Sequence, residues 1–184
     1  VLLLTFTRED LLATWKSSVP PDAPNRFIIN IQPEQRAPLL ELFRAERLVP
    51  PVLHPMIRGR LMARNGEPVK LEELQERDRR MAEREFNLSY MTTLQPNNQV
   101  VAGRWFGPDE MSAGGLSVEQ GIARRLGWKL GDTLTWSVAG QPFTAPITSI
   151  RKLEWDSMQV NFFVIGTPGL LQAAPTSYIT SFHL

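Results

Sequence analysis

The sequence predicts an α+β fold with two lobes, because two patterns alternate along the chain. Residues 24–66 carry strand, helix and strand signals in that order, which is typical of a βαβ unit. Residues 86–155 carry short alternating strands separated by glycine and proline, with one helix among them. Residues 156–184 match strand, turn and strand, and we expect them to return to the first lobe. Residues 67–85 would form a surface linker helix between the lobes.

Residues 1–23 predict a stalk-like helix followed by a proline-rich entry to the first lobe. Thr7 provides an N-cap with acidic residues after it, and prolines from Pro20 onward end the helix. The apolar run 1–6 is far shorter than the roughly 20 residues that span a bilayer. Two interpretations of this run stay open: the start of a buried helix, or the last turn of a membrane-spanning one.

The first lobe contains two predicted strands and a helix. Residues 27–31 form an apolar run that predicts a strand buried on both faces. Pro33 opens a helix that carries its apolar side chains on one side. Residues 52–63 predict a second strand, which we expect Pro55 and Gly59 to break. The apolar residues of the helix are Leu39, Leu40, Phe43 and Leu48.

Local signals fix several further elements. The linker helix is expected over 71–84, with Glu73–Arg77 and Glu76–Arg80 ion pairs one turn apart. Three tight turns or helix ends follow from glycine positions, at Asn65-Gly66, at Gly127 and at Ala139-Gly140. A capping box formed by Ser117 and Gln120 is expected to start the helix that ends at Gly127.

Composition excludes several functional classes. The 20 basic and 19 acidic residues leave a net charge of +1, so no concentrated basic face recommends a nucleic-acid partner. The chain has no cysteine and two histidines, which excludes disulfides, thiolate metal sites and a histidine-rich metal site. Neither a phosphate-binding loop nor a Gly-x-Ser-x-Gly or His-Glu-x-x-His motif is present. We therefore expect no catalytic residue, cofactor or metal.

One enzymatic alternative remains. Ser157, Asp156 and either His54 or His183 could be brought together in space as a hydrolytic triad. The simpler interpretation is that both histidines are structural and that Asp156 accepts backbone hydrogen bonds.

Aromatic residues suggest a surface for a partner or substrate. The pair Trp105-Phe106 precedes a predicted loop over 107–115, where exposure is expected. The apolar and aromatic residues of the stretch 155–165 could extend an apolar groove, although such rings also serve as core. The candidate surface comprises Trp105, Phe106, Trp155, Met158 and Phe162.

Three stretches carry a resemblance to a known family: Val101–Phe106, Leu116–Ala123 and Trp155–Ile165. Together they resemble the extracytoplasmic domain of FtsX/MacB-like ABC transporter permeases. The last stretch is similar to the subgroup associated with lysophospholipase-type esterases. The resemblance implies a ferredoxin-like half lobe near the membrane and an inserted β-rich lobe. Pro38 inside the first helix departs from the pattern, and we expect the natural domain to continue beyond Leu184.

The resemblance also implies a mechanical role without catalysis. Membrane helices flanking the domain would connect it to a cytoplasmic ABC ATPase subunit and hold it on the periplasmic side of the bacterial inner membrane. The domain would transmit the ATP-driven movement, help to move a hydrophobic or lipid-like substrate, and dock a periplasmic esterase. The alternatives are a free-standing hydrolase and an adaptor domain unconnected with transport.

Overall fold

The computed structural model describes residues 22–184, so the predicted helix before Pro20 and both interpretations of residues 1–6 lie outside the described residues. The strands are β1 Arg26–Ile31, β2 His54–Arg64, β3 Glu67–Pro68, β4 Phe86–Tyr90, β5 Asn98–Gly103, β6 Leu116–Glu119, β7 Thr133–Val138, β8 Gln141–Leu153, β9 Val164–Gly166 and β10 Ser177–Phe182. The α-helices are α1 Arg36–Ala45, α2 Glu76–Glu83, α3 Pro108–Ala113, α4 Gln120–Leu126 and α5 Pro168–Leu171. The α+β prediction is confirmed.

Six strands close into a barrel. Pairing runs from β2 to β4, β9, β6, β8 and β7, and β7 pairs with β2 again. Two of these pairs, β4–β9 and β6–β8, are parallel, and the other four are antiparallel. Strand β5 adds to β8 outside the ring. Because the sheet closes on itself, its strands bury one face in a common interior.

The prediction of a separate ferredoxin-like half lobe is wrong, because strand β2 is too long to belong to that lobe alone. Strands β1, β10 and β2 do lie side by side, with β10 antiparallel to both. However, β2 pairs with β10 only over residues 54–56 and continues through 57–64 as a barrel strand. The βαβ unit formed by β1, α1 and β2 therefore shares β2 with the barrel. The division into lobes over 24–66 with 156–184, and 86–155, stays a prediction.

Neither Pro55 nor Gly59 breaks β2, contrary to expectation. Pro55 lies opposite Tyr178 of β10, and its carbonyl accepts a hydrogen bond from the Ser89 hydroxyl at 2.7 Å. At Gly59 the barrel wall is so close that an added Cβ would lie 2.6 Å from Cδ1 of Leu88. Glycine at this position therefore permits close packing within a continuous strand.

Strand β1 is not buried on both faces. Phe27 and Ile29 are 49% and 60% exposed, and only Ile31 of this strand is buried. Among the described strands it pairs with β10 alone, and Phe43 of α1 makes an edge-to-face contact with Phe182 of β10. An apolar run by itself does not distinguish such an edge strand from a central one.

The linker helix is shorter than predicted. Residues 71–73 form a 3-10 turn, Leu74 is extended, and the α-helix runs only over Glu76–Glu83. The Glu76–Arg80 pair is confirmed at 2.6 Å, whereas Glu73 pairs with Lys70 at 3.4 Å. Because Leu74 is extended, Glu73 and Arg77 do not lie one turn apart on the same helix.

The turn predictions are confirmed and the capping box is wrong. The left-handed conformations expected at Asn65-Gly66, at Gly127 and at Ala139-Gly140 are all present. The cap of α4 is Glu119, whose carboxylate accepts the backbone N–H groups of residues 121 and 122 at 2.7 Å. Ser117 lies in β6 with its side chain buried.

The interior contains two apolar clusters. The larger one fills the barrel and centres on the fully buried Trp136, which meets Phe86 and Trp128 edge to face at ring distances of 5.2 and 6.3 Å. The smaller one lies outside the barrel wall. Its buried members are Met91, Phe106, Val160, Phe162 and Ile165.

Gly103 provides a test of backbone packing at the end of β5. Its φ is +71°, and an added Cβ would lie 2.2 Å from the backbone oxygen of Thr148. Gly140 has a similar φ of +79° with no atom near its Cβ position. We expect Gly140→Ala to cost about 1–2 kcal/mol from conformation alone, and Gly103→Ala about 1–3 kcal/mol more from overpacking. Urea denaturation of both variants measures the difference, and equal losses would contradict the close approach.

Candidate functional site

A buried arginine joins three segments of the chain. Arg151 lies in β8 with no solvent exposure. Its Nε donates to the hydroxyl of Ser117 at 2.8 Å and its Nη1 to Oδ1 of Asn98 at 2.6 Å. Its Nη2 faces three backbone carbonyls, those of Ser117, Phe162 and Phe163, at 2.9–3.2 Å. The guanidinium therefore ties strand β6, the start of β5 and the segment before β9 to β8.

The charge of Arg151 is retained in this apolar setting. Burial lowers its pKa to about 10, and the nearby Glu119 carboxylate acts in the opposite direction. The group is therefore protonated at neutral pH. Its hydrogen-bond acceptors replace the water that burial removes, which is the condition under which a buried charge is tolerated.

The segment before β9 is fixed by further polar contacts. We name residues 154–163 the Trp155 loop. Gln95 donates through Nε2 to the carbonyl of Val160 at 2.8 Å, and Asn97 donates to Oδ1 of Asn161 at 2.6 Å. The backbone N–H of Glu154 donates to the carbonyl of Asn97 at 3.0 Å. Residues 95–98 and Arg151 thus hold both ends of the loop.

The start of the Trp155 loop presents an aromatic side chain to solvent. Trp155 is 55% exposed and contacts only the ring of Phe163 among the aromatic residues described, with ring centres 6.0 Å apart. It begins a 3-10 turn over Trp155–Ser157, and Met158 follows in the left-handed conformation with φ of +59°. The loop therefore combines a fixed backbone with an exposed indole.

The other candidate surface residues lie elsewhere or inside. Phe106 and Phe162 are buried in the smaller cluster, so they stabilise the interior and present no surface. Trp105 is half-buried, packs on Phe106 at 4.4 Å, and donates from its indole to the carbonyl of Thr92 at 3.0 Å. Of the five residues, Trp155 and the half-buried Met158 share the Trp155 loop on the surface.

A cleft of about 470 Å³ lies beside the Trp155 loop. The loop lines one wall, residues 95–97 line another, and the start of β2 closes it with His54. A second cleft of about 310 Å³ shares His54 and Gln95 with the first. Burial lowers the pKa of His54, so its imidazole is neutral at pH 7.

The residues proposed as a hydrolytic triad are only partly brought together. His54 and Ser157 line the same cleft, but no hydrogen bond joins them within residues 22–184. The Ser157 hydroxyl instead accepts the backbone N–H of Gln159 at 3.3 Å. His183 bonds through Nδ1 to the carbonyl of Ala23 at 2.8 Å, and Asp156 lies on the exposed surface. The described geometry does not align a nucleophile with a base.

The sequence reasoning missed Arg151 and the polar side chains of residues 95–98. A signal was present, because residues 145, 147, 149, 151 and 153 share one face of β8 and all are buried. With alanine, isoleucine and leucine on that face, an arginine there would have to be buried and satisfied. Its acceptors come from segments far apart in sequence, which no local pattern indicates.

No protein-family model matches this chain. The chain is 39% identical over 181 residues to the uncharacterized ABC transporter permease YbbP of Escherichia coli (strain K12). The alignment covers 98% of this chain and 21% of that protein, so the chain spans about a fifth of the relative's length. This similarity supports a domain related to part of an ABC transporter permease.

Residues 22–184 contain neither a membrane-spanning helix nor a cluster of metal-ligating side chains. None of the helices in this part of the chain is long and apolar enough to cross a bilayer. No group of three or more acidic or histidine side chains in the same range could hold a metal ion.

Replacing Arg151 tests whether the guanidinium holds the loop. Arg151→Leu leaves several buried acceptors without donors. Each unpaired buried acceptor costs about 1–3 kcal/mol, so we expect the free energy of unfolding to fall by about 3–5 kcal/mol. Lys152→Leu, at the exposed neighbouring position, should change it by less than about 0.5 kcal/mol. If Arg151→Leu does not fold, Arg151→Lys provides the measurement, because one ammonium cannot reach all the acceptors. Stability equal to the native chain in Arg151→Lys would contradict this role.

His54 makes the free energy of unfolding depend on pH in mildly acidic solution. Its folded pKa lies below the ordinary value of 6.5, so the unfolded chain binds this proton more readily. Stability is therefore fully present above pH 6.5 and falls as the pH drops toward the folded pKa. We expect His54→Gln to lose less stability than the native chain between pH 7 and pH 5 in urea denaturation. Parallel pH profiles would show that His54 does not contribute.

Proposed function

We propose that this chain is a periplasmic domain of an ABC transporter permease, held near the bacterial inner membrane by flanking helices. The supporting observation is the 39% identity over 98% of the chain to the permease YbbP. In this proposal the domain contains no catalytic residue. It takes part in transport by transmitting the ATP-driven movement of a cytoplasmic ATPase subunit to a hydrophobic or lipid-like substrate.

Within this function, the Trp155 loop is the proposed docking surface for a periplasmic partner. An exposed tryptophan on a fixed backbone matches the chemistry of binding hot spots, which are enriched in tryptophan. Fixing the loop before binding lowers the ordering cost that a partner must overcome. Met158 adds an adaptable apolar side chain next to it.

An esterase of the lysophospholipase type is the proposed partner. The stretch Trp155–Ile165, which carries the resemblance to esterase-associated permeases, includes most of the Trp155 loop. An esterase bound there could act on a substrate as the domain releases it, which would explain a transport domain without a hydrolytic site of its own.

The full-length parent protein in mild detergent is the right material for the test. Deleting residues 86–155 would remove β4 through β8 and open the barrel, so a deletion cannot distinguish lost docking from lost folding. The parent is expected to co-purify with an ATPase subunit that hydrolyses ATP. A parent without any associated ATP hydrolysis would contradict the transport proposal.

In the same complex, Trp155→Ala tests the docking surface. Losing a hot-spot tryptophan costs about 2 kcal/mol or more, so we expect esterase binding to weaken about 30-fold. Leu42→Ala, at a similarly exposed position on α1, is the matched control and should leave binding unchanged. If interferometry measures equal esterase binding for both variants, the partner site does not lie on the Trp155 loop.

A further inference from the structure

We propose that a cleft at the C-terminal end of β2 binds a single alkyl chain that ends in a carboxylate. The cleft, which we name the Arg64 cleft, has a volume of about 420 Å³, within the range of small-molecule sites. Residues of the segments 61–74 and 126–128 line it. The assignment depends neither on the docking surface at Trp155 nor on transport.

The Arg64 cleft lies away from the N-terminal end of the described chain. Asp22 and His54 line the cleft beside the Trp155 loop, whereas Arg64 is the last residue of β2. The 11 residues of β2 correspond to about 33 Å of strand. The two clefts are therefore separate sites.

The floor of the Arg64 cleft is the end of the barrel core. Leu61, Leu126 and Trp128 are 5–9% exposed and belong to the larger apolar cluster. Val69 and Leu74 are half-buried and pack against the same cluster. Because all five residues line the cleft, an alkyl chain placed there would cover apolar surface of the core itself.

Arg64 gives the cleft a cation of fixed position. Its Nε donates to Oδ2 of Asp132 at 2.9 Å. Asp132 in turn accepts hydrogen bonds from Nδ2 of Asn65 at 3.2 Å and from the backbone N–H of Lys129 at 2.9 Å. Within residues 22–184 neither Nη of Arg64 makes a hydrogen bond. A guanidinium held through Nε in this way can offer its Nη donors to a carboxylate.

The carboxylates nearby favour a head group with one negative charge. Lys70 lines the cleft together with Arg64, but Glu67 and Glu73 line it too. Glu73 pairs with Lys70 at 3.4 Å, and these side chains are 66% and 60% exposed, so solvent weakens the pair. A phosphate dianion would be repelled by the surrounding carboxylates more strongly than a carboxylate would be. An ammonium group would be repelled by the fixed guanidinium of Arg64.

Titration of the 184-residue chain with octanoate at pH 7.5 tests this assignment. We expect saturable shifts of the Val69 and Leu126 methyl resonances in two-dimensional NMR, and weaker or no shifts with octylamine or octyl phosphate. In the series butanoate, hexanoate and octanoate, each added methylene should tighten binding up to about fourfold, because it leaves water for the apolar floor.

The variants test the head-group contact. Arg64→Gln should weaken octanoate binding about tenfold, at the low end of the effect of a hydrogen bond to a charged group. Arg60→Gln, at an exposed position of the same strand outside the cleft, is the matched control and should leave binding unchanged. Lys70→Gln, at an exposed position that lines the cleft, should weaken binding about two- to fivefold.

Any of four outcomes would overturn the proposal. They are no saturable shift with octanoate, octylamine binding as tightly as octanoate, affinity that does not rise with chain length, and equal affinity of the Arg64→Gln and Arg60→Gln variants. If Arg64→Gln does not fold, Lys70→Gln replaces it in this comparison, and affinity equal to that of the native chain would then overturn the proposal.

Discussion

The rest of the candidate site depends on one buried charge. Arg151 sits in the interior only because carbonyl, hydroxyl and amide oxygens from separate segments surround its guanidinium. A hydrophobic side chain could fill the same volume, yet it could not orient three carbonyls toward one point. The geometry of the Trp155 loop therefore depends on electrostatics as well as on packing.

The barrel interior and the Trp155 loop are stabilised in different ways. The barrel interior is apolar and centres on aromatic contacts around Trp136. The Trp155 loop is held by hydrogen bonds from Gln95, Asn97 and Arg151 and by the burial of Val160 and Phe162 in the smaller cluster. Because other residues of the loop fix its backbone, the indole of Trp155 can remain in water. A recognition surface gains from such order before binding.

Local chemistry could be predicted from the sequence, and long-range pairing could not. The left-handed turns at Gly66, Gly127 and Gly140 and the Glu76–Arg80 pair follow from residues a few positions apart. The barrel requires β4 to meet β9 and β2 to meet β7, and neither pairing leaves a local pattern. Of the candidate surface, Trp155 is exposed, whereas Phe106 and Phe162 are buried because their neighbours come from distant segments. The prediction that β1 is buried on both faces is wrong because hydrophobicity does not reveal what covers a strand.

The closed ring also constrains the order in which its strands can pair during folding. Strand β9 fills the gap between β4 and β6, and it is the last of the six ring strands along the chain. Until Val164–Gly166 has been made, β4 and β6 each present unpaired backbone edges that could pair with another chain. Contacts of such long sequence separation slow folding. A chain in which β9 has not yet been inserted is therefore more prone to pair with another chain through these edges than the closed barrel is.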